Sequence, residues 1–267
     1  MYLVQTELVI FLMNKISIQD IKDYSFCSMY YKNKKILNKP ISIDKYDNAL
    51  KTSYLYYLQG IRDKDRADLN VLSKAFSNNW NKRDINKNCI TLRTHRMTYQ
   101  YLKERGVKIL LSFHNMMKDT EQCPIVMFKG YSININGITV TGVIDYIRET
   151  IVDNKAEIQL IKFNNITTTS TTLFSIYEDL DAISMLYAFK TIFECKNYKF
   201  LYLDVYNNKQ YEITKTEKDF KIFEETVTKV YNNITDNIYI FSPSDKCYLC
   251  PFKECCKDNI TKEIQLC

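Results

Sequence analysis

Apolar side chains recur every three to four positions through roughly the first 120 residues, a spacing typical of helices that bury one face. The predicted helices span residues 18–22, 46–60, 69–80 and 97–118. Ser17 precedes the first of them and is a good N-cap residue. A basic stretch, residues 32–39, ends at Pro40. The pattern therefore predicts a mainly helical N-terminal part.

The pattern then changes to short runs in which apolar and polar residues alternate, as in strands with one buried face. The predicted strands span residues 124–128, 131–135, 138–146, 156–163, 200–206 and 211–213. Asn136-Gly137 is the strongest hairpin turn signal in the chain. Two further helices are predicted over residues 180–193 and 218–232.

This order of elements predicts an α/β fold in which helices flank a mixed central sheet. We interpret residues 1–267 as one domain with three parts. These are a mainly helical part over 14–120, an α/β core over 121–240 and a cysteine hairpin over 241–267.

Composition narrows the function classes. The chain has 37 basic and 31 acidic residues, a net charge of +6 that permits a nucleic-acid partner without demanding one.

Residues 1–13 are apolar but too short and interrupted to span a bilayer, and they lack the features of a signal peptide. They are expected to form a strand or short helix, and Met13 is an alternative start. The expected location is the cytoplasm, that of the host if the chain is viral, and no membrane partner is expected. The abundance of Asn, Lys and Ile indicates an AT-rich coding sequence, as in some phages and mobile elements.

Four cysteines carry the most specific chemical signal. Cys247, Cys250 and Cys256 form a Cys-x2-Cys-x5-Cys motif, and Cys27 lies roughly 220 residues upstream. Thiolates are soft ligands that suit zinc or iron–sulfur centres. Nine unevenly spread cysteines favour a metal centre in a reducing compartment over a disulfide framework. Such a centre would join the two ends of the chain.

With these cysteines in place, the chain resembles the RecB-like branch of the PD-(D/E)XK nucleases. The closest likeness is to its iron–sulfur members, the AddB-type nuclease domains and the CRISPR-associated exonucleases. The cysteine spacing, the segment 104–113 and the hairpin with Gly142-Val-Ile-Asp145 carry the resemblance, which runs from about residue 17 to 256. It implies a restriction-endonuclease-like core and a [4Fe–4S] cluster on Cys27 and the C-terminal motif, with Zn²⁺ as the alternative. It also implies hydrolysis of DNA assisted by Mg²⁺ or Mn²⁺.

The catalytic pattern of that family is largely missing. The strand after Asp145 should carry an acid, any residue and a lysine, but Lys162 stands at the acid position and Asn164 at the lysine position. Lys129 likewise stands where the preceding strand holds an acid. The resemblance therefore implies an inactive or weakened member that acts as a DNA-binding or assembly subunit in replication, recombination or viral DNA handling. A protein of such a complex is a further expected partner.

Two alternatives stay open. A shifted register would pair Asp145 with Glu157 and Lys162 in an active metal-dependent exonuclease, although residues five apart in a strand face opposite sides. The chain would otherwise be a protein-interaction module that binds no nucleic acid.

If the chain binds DNA, the candidate phosphate contacts are Lys129, Lys162, Arg93 and Arg96.

Overall fold

The structure is a computed structural model that describes residues 14–38, 41–64, 67–82, 85, 98–118, 123–152, 154–165, 179–193, 198–243, 247, 250–253 and 256. Within these ranges lie six strands and seven helices. The strands are β1 (Lys15–Ser17), β2 (Cys123–Ile135), β3 (Ile138–Val152), β4 (Lys155–Asn164), β5 (Tyr198–Asp204) and β6 (Lys209–Glu212). The helices are α1 (Ile18–Phe26), α2 (Ser28–Leu37), α3 (Ser42–Arg62), α4 (Leu69–Asn79), α5 (Tyr99–Met117), α6 (Leu180–Ile192) and α7 (Glu217–Thr235).

The strands form one mixed sheet in the order β1-β3-β4-β5-β6, with β2 also paired to β3. The long strand β3 is antiparallel to β2 and β4 and parallel to β1, while β5 is parallel to β4. A parallel step needs a crossover, and α6 lies in the connection between β4 and β5. The carboxyl end of β4 and the amino end of α6 are thereby placed near each other.

Two hydrophobic clusters lie on the two faces of this sheet. We call the first the α6 face, because residues of α1, α6 and α7 pack there against residues such as Ile144 and Leu160. We call the second the α3 face, because residues of α3, α4 and α5 pack there against Tyr146 and Ile161. The result is a three-layer arrangement, with α3, α4 and α5 on one face of the sheet and α1, α6 and α7 on the other.

The predicted fold class is confirmed: helices flank a mixed six-stranded sheet. Ser17 caps α1, since its side chain accepts the backbone N–H of Asp20. The basic stretch over 32–39, for which no element was predicted, lies largely in α2. The two strands predicted over 124–128 and 131–135 are one continuous strand, β2. The expectation for residues 1–13 lies outside the described residues.

Each described helix is too short or too polar to cross a bilayer.

Candidate functional site

In the β2–β3 hairpin, the alternation of side chains between the two faces of the sheet reverses at Asp145. Ile144 packs on the α6 face, whereas Tyr146, two residues further along, packs on the α3 face. Residues two apart in a regular strand share a face, so the alternation reverses at Asp145. Across the hairpin, Phe128 falls between the pairs on either side of Asp145 and has a φ of 45°, which is rare for a bulky side chain. This local irregularity sets the direction in which the Asp145 carboxylate points.

A glycine lets the same hairpin pack closely. A Cβ atom on Gly142 would lie 2.3 Å from the hydroxyl oxygen of Tyr131. The Tyr131 hydroxyl instead crosses the hairpin and hydrogen-bonds the buried hydroxyl of Ser184 on α6. Gly142 therefore helps to hold the hairpin against the helix that begins beside Asp145.

The carboxylate of Asp145 is buried and bound by its neighbours on β4. Its Oδ2 atom accepts a hydrogen bond from Lys162 Nζ at 2.9 Å and another from the backbone N–H of Phe163 at 3.0 Å. The relative exposures of Asp145 and Lys162 are 3% and 6%. Lys162 Nζ also lies 3.4 Å from the carbonyl oxygen of Phe163. A cation is thus held among oxygen atoms of β3 and β4, and that cation is an ammonium group.

A second carboxylate faces the same ammonium from α6. Oδ2 of Asp181 lies 4.0 Å from Lys162 Nζ and also pairs with Lys22 of α1. Asp181 is in the first turn of α6, which Asp179 caps by accepting the backbone N–H groups of Asp181 and Ala182. We call Lys22, Asp181, Lys162 and Asp145 the ion-pair chain, because its charges alternate in sign from α1 to β3.

Two members of the ion-pair chain, Lys162 and Asp181, are held in the ionised state by the charges around them. Burial would lower the pKa of Lys162, but the charges of Asp145, Asp181 and Asp179 outweigh burial and raise that pKa well above its usual value. Burial would likewise raise the pKa of Asp181, but Lys162 and Lys22 lower that pKa to about 2. Near neutral pH, Lys162 is therefore a cation and Asp181 an anion.

Helix α3 contributes a second set of polar contacts next to this chain. Asp47 pairs with Lys51 at 2.8 Å and accepts a hydrogen bond from the Asn165 amide at 2.9 Å. The Tyr54 hydroxyl donates to Asn165 Oδ1 at 2.7 Å. Burial would raise the pKa of Asp47, but Lys51, Asn165 and the charge of Lys162 together lower that pKa below its usual value. The set ties α3 to the end of β4.

Both sets of polar contacts border a cavity of about 840 Å³. Its wall includes Asp47, Lys51, Lys162, Asp181 and Cys250. Four described lysines line this cavity, and each pairs with an aspartate: Lys22, Lys34, Lys51 and Lys162. The positive charge of this cavity is therefore already compensated by the protein.

The predicted site residues do not all meet here. Glu157 is five residues before Lys162, about 16 Å along a strand, and it pairs with Lys199 at 3.0 Å. The shifted set of Asp145, Glu157 and Lys162 is therefore not brought together. Lys129 is exposed on β2, whereas Lys162 is buried, so these two lysines do not form one cationic site. Arg93 and Arg96 lie outside the described residues.

We give the name cysteine corner to Cys27, Cys247, Cys250 and Cys256, which lie near the contact between α2 and the segment that follows α7. Three of them, Cys27, Cys247 and Cys250, line one cavity of about 670 Å³. Cys256 is buried and follows Phe252 by one helical turn, since its N–H donates to the Phe252 carbonyl at 3.1 Å. All four are outside disulfides.

The donor set of the cysteine corner suits a thiolate-bound metal or cluster in its chemistry, and the cavity has room for one. The sulfur atoms are not drawn together into a closed site. Within the described ranges, no three His, Cys, Asp or Glu side chains are grouped closely enough to hold a metal ion. A metal or cluster would have to pull the cysteines inward as it bound.

Protein contacts already hold the two chain ends together at this corner. Ser28 Oγ donates to the carbonyl of Ile240 at 3.0 Å and accepts the N–H of the same residue at 2.9 Å. Tyr31 stacks on Tyr239 with ring centroids 6.4 Å apart. These contacts place the segment that follows α7 beside the start of α2, where Cys27 lies, and the joining of the ends by a metal centre stays a prediction.

Sequence reasoning missed Asp181, Lys22, Asp47 and Lys51. Their signals were weak, because each stands on a helix where a charged residue is ordinary. The Asp179-x-Asp181 pair at the start of a predicted helix was the one usable signal, since acids there complement the helix dipole. Its meaning depends on the crossover that places α6 beside β4.

The comparison with known proteins agrees with this geometry. The family model of the PD-(D/E)XK nuclease superfamily matches residues 15–257. No curated protein matches the chain. The match spans both helical layers and the sheet that carries Asp145 and Lys162. The chain therefore belongs to the PD-(D/E)XK nuclease superfamily.

Proposed function

We propose that this chain is a non-cleaving member of its superfamily, in which the Lys162 ammonium replaces the catalytic metal ion, and that it binds DNA as a subunit of a DNA-handling complex. The observation that carries the proposal is the 2.9 Å ion pair between Lys162 and Asp145. Metal-assisted hydrolysis needs a cation with open coordination positions that activates a water molecule. An ammonium group has one charge, donates its own protons and activates no water.

The surrounding residues support the same proposal. Asn164 stands where the family has a lysine, and Glu157 is held by Lys199 at the other end of β4. Asp145 is therefore the one acid of the expected set that reaches the site, and Lys162 neutralises it. These features favour loss of cleavage over an active exonuclease with displaced residues.

The proposed DNA contacts lie outside the ion-pair chain. Lys162 is buried and compensated by Asp145 and Asp181, so it offers no free charge to a phosphate. Lys129 is exposed, and together with Arg93 and Arg96 it is the proposed source of phosphate contacts. The net charge of +6 favours such contacts.

The cysteine corner is proposed to hold a structural [4Fe–4S] cluster, as in the iron–sulfur branch of the superfamily, with Zn²⁺ as the alternative. Cys27, Cys247, Cys250 and Cys256 would bind it. When bound, the group supplies covalent ties between the two chain ends. The contacts of Ser28 with Ile240 support this arrangement, because they hold the same two segments side by side.

The test is to incubate the protein, purified without oxygen, with labelled single- and double-stranded DNA in Mg²⁺, Mn²⁺ or EDTA. We expect no cleavage, and binding that EDTA leaves unchanged. Lys129→Glu should weaken binding and lower the salt slope by about one, whereas Lys218→Glu on the exposed side of α7 should not. Metal-dependent cleavage that Asp145→Ala abolishes would show an active exonuclease instead. Absence of DNA binding would favour a protein-interaction module.

A further inference from the structure

Beyond the four cysteines, one buried amide is placed to act on the cysteine corner. Nδ2 of Asn33 lies 3.7 Å from Sγ of Cys256, within hydrogen-bonding distance for sulfur. Asn33 has a relative exposure of 8% and Cys256 one of 7%. The two residues are 223 positions apart in sequence, so the contact is built by the fold.

Packing around the pair explains how it forms. Phe252, one turn before Cys256, packs edge-on against Tyr30 of α2 with ring centroids 5.3 Å apart. That contact places Phe252 beside α2, and Asn33, about one turn beyond Tyr30, reaches the sulfur of Cys256. Cys27 is the N-cap of the same helix. Helix α2 therefore carries one candidate ligand at its start and a hydrogen-bond donor to another about 9 Å further along.

The chemistry of the pair is informative because a buried amide is costly without partners. A neutral thiol is a weak acceptor, whereas a thiolate is an anion and accepts a stronger, charge-assisted hydrogen bond. A donor in this position is therefore suited to a sulfur that binds a metal or cluster. Hydrogen bonds to ligating sulfur atoms also adjust metal affinity and the reduction potential of iron–sulfur clusters.

We infer that Asn33 is a positioning residue of the cysteine corner, which donates its Nδ2–H to Cys256 and orients that sulfur as a ligand. The inference rests on the proposed metal or cluster site. The thiol proton of Cys256 passes to solvent when the metal binds, while the Asn33 amide keeps its own protons. Asn33 itself does not bind the metal.

The experiment is to titrate the full-length, metal-free protein with Co²⁺ in the absence of oxygen and follow the thiolate-to-cobalt charge-transfer absorption. Asn33→Leu removes the donor at similar size and should weaken Co²⁺ binding 10- to 100-fold, the usual effect of removing a residue that orients a metal ligand. Asn33→Asp should weaken it further, because its carboxylate repels a thiolate. Asn79→Leu is the matched control, since it makes the same change on α4, away from the cysteine corner, where the Asn79 amide donates to the Ala75 carbonyl at 2.8 Å. That variant should change the affinity less than about threefold.

The readouts separate the two ideas. In reconstituted protein with a cluster, Asn33→Leu should also shift the reduction potential to a more negative value, which a purely structural role would not do. If Asn33→Leu and Asn33→Asp bind Co²⁺ as tightly as the wild type, the inference is overturned and the metal site stands. If the wild type binds neither Co²⁺ nor a cluster, the proposed metal site fails and takes the inference with it. Asn33→Asp serves where Asn33→Leu does not fold.

Discussion

Lys162 Nζ lies 2.9 Å from Oδ2 of Asp145, and both side chains are more than nine-tenths buried. The pair joins β4 to β3 at the point where the hairpin changes phase. A buried ion pair adds little net stability, but removal of one partner leaves an uncompensated charge in the interior. The stability of this site therefore depends on both residues together.

Lys162→Met should destabilise the protein by about 3–5 kcal/mol, because Asp145 would remain buried without its counter-ion. Urea denaturation measures the change. Lys199→Met is the matched control, since it removes a lysine from the partly exposed pair with Glu157 and should cost about 1 kcal/mol or less. The double variant Asp145→Leu with Lys162→Met should recover much of the loss. Equal losses for Lys162→Met and Lys199→Met would contradict a buried, coupled pair.

Restoring the family pattern should restore a metal requirement. Lys162→Glu combined with Asn164→Lys places an acid beside Asp145 and Asp181. The three carboxylates then repel one another until a divalent cation binds. We expect Mn²⁺ to raise the melting temperature of this variant and to leave that of the wild type unchanged. Lys162→Gln with Asn164→Lys supplies no extra acid and should respond much less. A wild type that Mn²⁺ stabilises as strongly as the variant would rule out replacement of the metal by Lys162.

Acid should weaken the fold through Asp181. Its pKa is lowered from 3.8 to about 2 in the folded chain, so its contribution is present above pH 4 and is lost as the pH falls toward 2. The shift corresponds to about 2 kcal/mol. Asp181→Asn should lower stability at neutral pH by this order and flatten the profile between pH 4 and 2, as measured by urea denaturation across pH. Asp236→Asn, at the exposed end of α7, should keep the wild-type profile. If the stability of Asp181→Asn still falls steeply between pH 4 and 2, other groups cause the loss of stability in acid.

Two glycines of one hairpin should differ sharply. Gly142→Ala places a Cβ atom 2.3 Å from the Tyr131 hydroxyl and should cost about 2–3 kcal/mol, since Tyr131 must leave Ser184. Gly130→Ala meets its nearest atom, the Gly142 carbonyl oxygen, at 3.8 Å, an ordinary contact. It should therefore change stability by less than about 1 kcal/mol. Thermal denaturation of the two variants decides the matter, and similar losses would show that the approach of Tyr131 does not control this position.

The sequence predicted six of the seven described helices, because their apolar faces repeat locally, but it missed α2. The helix predicted over 97–118 and the observed Tyr99–Met117 differ by two residues at most. Strand β2 was harder, because Phe128 and Lys129 interrupt its alternation where the hairpin changes phase. The rare backbone angle at Phe128 interrupts the sequence pattern, although the strand continues through it.

The candidate site was only partly predictable for a different reason. Asp145 and Lys162 were found because their spacing matches a known motif, yet the pairing of one with the other depends on the β3–β4 register. Asp181 reaches the site through a crossover and Asp47 through a helical layer. A local sequence pattern does not predict contacts between residues so far apart in the chain. Glu157 looked suitable by residue type and was excluded by its position along the strand.

The hydrogen bonds between Ser28 and Ile240 can form only late in translation, after α1 and α2 have been made. These residues are 212 positions apart. At roughly 5–20 residues per second, a ribosome needs on the order of 10–40 seconds to make the intervening chain. Throughout that interval α1 and α2 have emerged without the segment that covers them. Nascent chains of this protein therefore expose the aromatic side chains Tyr24 and Tyr31 until translation has passed Ile240, and they are most vulnerable to misassembly in that interval.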